Sequence, residues 1–531
     1  MTIEPQDPLC QNVATMIAAT TAPDAGIWRA TVSPTDLRSL VEVAVRQYSG
    51  TVLLAAGEDR PSESAIYAHY LVGFRTKNPE SGTCPWKLLH ITTRLSRDFP
   101  VVPSLAGLSF PASRFEREMR DLLGIQPAGH PDPRPLVRHG FWPETFYPLR
   151  HDAVLPEFED DGRPFPFTEV EGEGVYEIPV GPVHAGVIEP GHFRFNVLGE
   201  TILKMRARLY FTHKGTERLF LGRRPIDALQ LVERVSGDTS VGHTVAFCQA
   251  IEALAGVEIP KPAAAARLVL LELERLYNHV ADVGAIIGDT GFSVGQAHCL
   301  RLREELLRLN KQVAGHRLLR GVVVPGGVLQ QRAVEPSVVA AVGRVVRDFE
   351  EVVQICRDNT LVADRLEGTG RLPPEVARDF GVVGYVARAC GLPGDARTDL
   401  PSGAYRWLDV TPVIAQTGDV EARLDVRVRE VRQAFELIQQ TVSHAASAVE
   451  CRAEVGPLPA WAAAFGVVEA WRGRLVHMVM ADEEGRLHRV KIVDPSFFNW
   501  PALARALDGN IVPDFPLCNK SFNASYSGND L

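Results

Sequence analysis

Residues 151–174 constrain the architecture of this chain more than any other feature. Glu157, Glu159, Asp160, Asp161, Glu169, Glu171 and Glu173 alternate there with proline and glycine. Such a stretch has no apolar face to bury and reads as a solvated connection rather than an acidic binding tail. It divides the 531 residues into a unit at 1–150 and a larger one at 175–531. Length alone would allow about three domains at roughly 100–200 residues each. With 45% hydrophobic and 23% charged residues the chain is globular rather than disordered. A net charge of -9 argues against nucleic-acid binding.

The first unit reads as α+β. Residues 34–48 space leucine and valine at helical intervals, 64–75 and 86–97 read as strands, and Ser113 to Leu123 reads as a helix stopped at Gly124. In the second unit, 175–221 is β-rich, with a hairpin expected around Glu189-Pro190-Gly191. Helices are expected at 225–235, 240–255, 262–288, 298–320, 335–366 and about 419–450. A strand pair follows at 474–480 and 486–493, turning at Glu484-Gly485. The last forty residues read as loop with a short helix from Pro501 to Leu507. The expected architecture is a helical-bundle core carrying small peripheral sheets.

The N-terminal MTIEPQDPLC has no basic region followed by an apolar stretch, so no signal peptide is expected, and the Arg223-Arg224 pair is internal. No run of about 18 uncharged apolar residues occurs, so no direct membrane span is expected. The most apolar stretch, Ala263 to Gly288, is broken by Arg267, Glu272, Glu274, Arg275 and Asp282. Eight cysteines, at 10, 84, 248, 299, 356, 390, 451 and 518, form no CxxC. That pattern argues against a cysteine-rich zinc site, an iron–sulfur cluster held by this chain alone, or a disulfide scaffold. Scattered thiols suit a reducing cytoplasm. GxxxxGK[ST], GxGxxG after a strand, HExxH and GxSxG are all absent.

Residues 115–136, FEREMRDLLGIQPAGHPDPRPL, carry Glu116, Arg117, Glu118, Asp121, Gly124, Ile125, His130, Pro131 and Asp132 in a distinctive order. This stretch resembles the signature of the thirty-kilodalton-type subunit of respiratory complex I. It reads as a docking or structural element, because His130 has no ligand partner at metal spacing. Residues 178–220 contain GPVH, EPGHFRF and HKGTE. They resemble the start of the formate hydrogenlyase-type nickel–iron hydrogenase large subunit and of its complex I relative, the forty-nine-kilodalton-type subunit. LELERLYNHVADVG (271–284), VVVPGG (322–327), Gly381/Gly384/Arg388/Ala389/Gly391, GDVEAR (418–423) with Arg427 and Glu430, and WRGRL (471–475) follow in the family's order. The two modules in one chain resemble the fused large subunit of formate hydrogenlyase. The resemblance implies a subunit of a membrane-associated oxidoreductase complex, held peripherally at the cytoplasmic face. Implied partners are a small iron–sulfur subunit and antiporter-like membrane subunits, with NAD bound at most elsewhere in the complex.

The same resemblance implies a nickel–iron centre held by four cysteines, in RxCGxCxxxH and DPCxxC frames. Here the first frame runs from Arg234 to His243 and places Ser236 and Thr239 at the ligand positions. The second is Asn523-Ala524-Ser525-Tyr526-Ser527-Gly528, with Ser525 and Gly528 at the ligand positions. Hydroxyls are hard, poorly ionised donors and glycine offers none, so a nickel–iron centre is not expected. Leu531 stands just past this frame, and no cleavable extension is expected. A quinone is the alternative occupant. The complex I relative uses a hairpin histidine, matched by His184 or His192, and a tyrosine whose position here is Gly237. The third alternative is a redox-inert coupling subunit.

Glu274, Arg275, His279 and Asp282 stand close to helical spacing, and the last three share a face. They read either as a proton path or as a paired structural network. Arg388, Asp395 and Arg397 could order a cavity wall or pair internally, and His243 could satisfy a buried hydrogen bond.

Overall fold

The structure, a computed structural model, describes residues 27–75, 86–160, 162, 164–185, 188–330, 332–444 and 450–531. The N-terminal decapeptide, with Cys10, and Cys84 lie outside them. The chain divides into two compact units, Met1–Thr168 and Glu169–Leu531.

In the first unit, strands β1 (Ile27–Val32), β2 (Thr51–Arg60), β3 (Ala65–Arg75) and β4 (Trp86–Ser96) form one sheet in the order β1-β4-β3-β2. Helix α1 (Pro34–Gln47) starts on a Ser33 cap, and α2 (Phe110–Leu123) stops at Gly124 with φ of 81°. The 115–136 signature is a staple between α2 and the turn behind it. Asp121 accepts the backbone N–H groups of Leu136 and Val137, and Arg117 donates to the carbonyls of Arg134 and Pro135.

A polar row crosses this sheet. Arg29 donates to His90 at 3.1 Å, His90 meets His69 at 3.0 Å, and His69 meets Glu58 at 2.9 Å. Burial first, then His69 and Arg29, hold the His90 imidazole well below its ordinary range. In the unfolded chain it protonates near pH 6.5, so the unfolded state binds more protons below that value. This row therefore costs stability as pH falls below about 6.5, by up to ~1.4 kcal/mol per pH unit. Denaturant midpoints at pH 7.5 and 5.5 should show the drop, and His90→Gln should flatten it.

The second unit opens with antiparallel strands β5 (Val175–Val180), β6 (His192–Leu198) and β7 (Thr201–Arg208). The expected hairpin is thus present, as β5 and β6. Long helices follow: α3 (Ser240–Ala255), α4 (Lys261–Asp289), α5 (Ser293–Ala314), α6 (Pro336–Arg357) and α7 (Val420–His444). Helix α4 packs against α5 and α7, and 23 of its 29 residues are buried. Its charged side chains consequently have to find partners inside the protein. A second sheet, β8 (Ala463–Ala470), β9 (Gly473–Ala481) and β10 (Leu487–Val493), lies against α3. Helices α8 (Pro495–Ala506), α9 (Phe515–Phe522) and α10 (Tyr526–Asp530) close the chain.

Several elements differ from what the sequence predicts. Residues 225–235 form a 3-10 turn and one helical turn, Pro225–Ala228 and Leu229–Val232, because the carbonyls of Glu233 and Val235 accept from Ser240 and Lys214 instead. Helix α5 begins five residues before 298 and ends at Gly315, a left-handed cap. The span 335–366 breaks at Asn359, whose side chain caps a new helix, Thr360–Leu366. Strand β8 was not expected: all eight of its residues are buried, so no two-residue alternation marks it. The tail is largely helical, and α8 starts at Pro495 because Asp494 caps it.

Candidate functional site

The two frames meet. Ser236 Oγ lies 2.9 Å from Ser525 Oγ. Ser236 and Thr239 each donate to Asp238 Oδ1 at 3.0 Å. Arg472 clamps Asp238 with two bonds, 2.6 Å to Oδ1 and 2.7 Å to Oδ2, and donates to the Asn523 carbonyl at 2.6 Å. The Trp471 indole donates to Thr239 Oγ1 at 3.0 Å, and the Arg472 guanidinium lies 3.9 Å above the Trp471 ring centre. Burial alone would raise the Asp238 carboxyl, but the Arg472 guanidinium holds it below the usual carboxylate range.

The second frame begins the last helix of the chain. Ser525 caps α10 by accepting from Gly528 N at 2.9 Å, and its own N–H donates to Ser496 at 2.8 Å. A Cβ built on Gly528 would stand 2.6 Å from Asp494 Cγ and 2.7 Å from its Oδ2. The Asp494 carboxylate therefore fills the seat that a side chain at 528 would need. Asp494 in turn meets His243 Nε2 at 3.1 Å, and His243 Nδ1 meets His477 Nε2 at 3.0 Å.

This donor set does not fit a nickel–iron centre. The four frame positions offer three neutral hydroxyls and a glycine, already bonded to one another or to an ion pair. Soft, strongly donating thiolates are missing. The quinone pair fares no better. His184 Nε2 is bonded to the Gly191 carbonyl at 2.8 Å, and His192 Nδ1 to the Gly181 carbonyl at 3.0 Å. Both imidazoles thus tie the β5–β6 hairpin to itself, and Gly237 has no hydroxyl to complete the pair.

The four α4 candidates do not form one row. Glu274 accepts the backbone N–H groups of Val241 and Gly242 at 2.7 and 2.9 Å, at the start of α3. Burial pushes its carboxyl up to about 8. Arg275 pairs with Glu272 at 2.9 Å, while His279 meets Glu430 at 2.7 Å. Burial pushes the His279 imidazole down to about 4, so it is neutral there. Asp282 pairs with Arg427 at 3.0 Å and accepts from Asn523 at 2.6 Å, joining α7 to the second frame.

Arg388 is the hub. It reaches Glu430 at 2.7 Å, Glu469 at 2.8 Å and Asp395 at 3.4 Å. Asp395 also holds Arg397 at 2.8 Å, and Tyr405 donates to Glu272 at 2.5 Å. Arg388, Asp395 and Arg397 thus pair internally. Burial would raise the Glu430 carboxyl, but Arg388 and His279 hold it well below the usual range. Burial and then the neighbouring Asp395 push Glu469 up.

Sequence reading missed the partners that rebuild the frames: Asp238, Arg472, Asp494 and His477. Arg472 stood inside a recognised motif, and Asp238 inside the first frame. Nothing local marks Asp494 or His477, which reach His243 across more than 230 positions.

The sequence profile of the respiratory-chain NADH dehydrogenase 30 Kd subunit matches residues 30–159, and that of the 49 Kd subunit matches 289–458 and 456–530. Formate hydrogenlyase subunit 5 of Escherichia coli K12 is 33% identical over 523 residues, covering 94% of this chain and 88% of that protein. The chain belongs to the family in which these two subunit types are fused into one. Hydrogenase-4 component G of Escherichia coli K12 is 31% identical over 502 residues, covering 93% of this chain and 86% of its own length. The carbon monoxide-induced hydrogenase of Rhodospirillum rubrum is 29% identical over 365 residues, 66% of this chain and 98% of its own length. Members of this family are subunits of oxidoreductase complexes. Among the described residues no helix is long and apolar enough to cross a membrane.

Proposed function

We propose that this chain is the large subunit of a membrane-associated oxidoreductase complex of the formate hydrogenlyase and complex I kind, and that it works without a nickel–iron centre. Residues 1–150 serve as the smaller of its two complex I-type modules and 175–531 as the larger, hydrogenase-like one. It sits at the cytoplasmic face, held there by a small iron–sulfur subunit and antiporter-like membrane subunits. The contact that carries this reading is the 2.9 Å Ser236–Ser525 bond beside the Arg472–Asp238 clamp. A site built to hold a metal has been refilled with hydroxyls and a buried ion pair. Its role is then coupling: the charged residues around Arg388, His279 and Asp282 link the frames to the helical core.

The test is affinity purification of the native complex from membranes, with subunit identification. An iron–sulfur protein and polytopic membrane proteins should copurify. Recovery of a soluble monomer without partners would contradict the assembly.

A further inference from the structure

The groups behind the second frame have a direction built into them. Asp494 Oδ1 accepts from Ser496 N at 2.8 Å, and Oδ2 faces His243 Nε2 at 3.1 Å. A carboxylate only accepts, so His243 Nε2 carries the proton. A neutral imidazole has one proton, which leaves His243 Nδ1 as an acceptor. His477 Nε2, 3.0 Å away, is then the donor, and His477 Nδ1 is a bare lone pair. That nitrogen is fully buried and has no hydrogen-bond partner among the described residues. Both imidazoles and Asp494 are 1% exposed or less. An acceptor left unmatched in a core is destabilising and calls for an explanation.

The charged groups near this chain of side chains lie beside Asp494 and beside His243. Arg472, with its partner Asp238, faces Asp494, while Glu274 sits under the start of α3. Among the described residues, Asp494 and the two histidines themselves are the side chains that hydrogen-bond to these imidazoles.

We propose that His477, His243 and Asp494 form a proton relay into the refilled site, with Asp494 seated where a side chain at position 528 would stand. A proton binds His477 Nδ1. The His477 Nε2–H bond breaks as the His243 Nδ1–H bond forms. His243, still protonated at Nε2, becomes an imidazolium held by the Asp494 carboxylate, and His477 is left neutral in its other tautomer. One proton enters and one is stored. Burial keeps His477 from retaining the charge, its imidazole lying well below the ordinary range. Burial alone would raise the Asp494 carboxyl, yet His243 and Arg472 hold it below its usual value, so it stays an anion. This deepens the coupling role proposed above and rests on it for its purpose.

Histidine-selective 15N NMR on the full-length chain tests the relay without any partner. Signals are assigned with His243 and His477 variants. On acidification, His243 should acquire protons on both nitrogens while His477 switches from Nε2–H to Nδ1–H at the same midpoint. A merely structural pair would not switch tautomer. In Asp494→Asn the proton affinity of His243 should fall at least ~10-fold, the effect of removing an adjacent anion. If that variant does not fold, His477→Phe serves instead: removal of the imidazole acceptor of the stored proton should also lower that affinity. A His477 that keeps Nε2–H throughout, one that becomes cationic before His243, or an unchanged His243 midpoint in the folded variant overturns the relay. Failure here leaves complex membership standing, because purification tests that separately.

Discussion

Arg388→Met should destabilise the second unit by about 3–5 kcal/mol, the usual cost of removing one partner from a buried ion pair. Arg388 and its partners Glu430, Glu469 and Asp395 are all 3% exposed or less. A methionine fills much of the same volume but leaves three carboxylates facing one another in the core. Glu430 keeps His279 and a longer 3.6 Å contact to Arg275, and Asp395 keeps Arg397. The Glu469 carboxylate keeps only the Ala396 N–H among the hydrogen bonds it makes in the described residues. Chemical denaturation measures the loss. Arg432→Met, which breaks an exposed pair with Glu350, should leave the midpoint nearly unchanged.

Gly466→Ala should cost about 3 kcal/mol, the upper end of ordinary overpacking. Strand β8 passes so close to α3 that a Cβ at 466 would stand 1.8 Å from the Ala246 carbonyl oxygen and 2.7 Å from its carbon. Both atoms are backbone, so no side chain can rotate away. Strand and helix have to separate, opening the core formed by Phe247, Ile251, Val479 and Ile492. Gly466 also pairs with His477 in the sheet register. The variant should therefore melt earlier and broaden the His477 signal, and a thermal melt checks the first effect directly.

Much of this was legible in the sequence because the signals were local. Helix α4 announced itself by its apolar run, which the five charges within it marked as a buried helix rather than a membrane span. Four frame positions, Ser236, Thr239, Ser525 and Gly528, could be placed from neighbouring Arg234 and His243 and from the chain's last residues. The groups packed around these positions could not be placed that way. Asp494 reaches the seat at Gly528 through the fold, not through spacing, and only a built Cβ reveals that the seat is taken. Arg275 and His279, read on one face with Asp282, both reach Glu430, whereas Asp282 turns to Arg427 and Glu274 to the start of α3, because the helix is buried nearly all round. Strand β8 was hidden for the same reason: a strand covered on both faces shows no alternation.

With Ser236, Thr239, Ser525 and Gly528 at the four frame positions beside an Asp238–Arg472 pair, nickel should have no seat. Elemental analysis of the complex purified from its own membranes tests this most directly. Nickel should be no higher than in a mock purification, with iron accounted for by iron–sulfur clusters in partner subunits. Stoichiometric nickel that follows this chain through purification, and is lost with it, would contradict the refilled site.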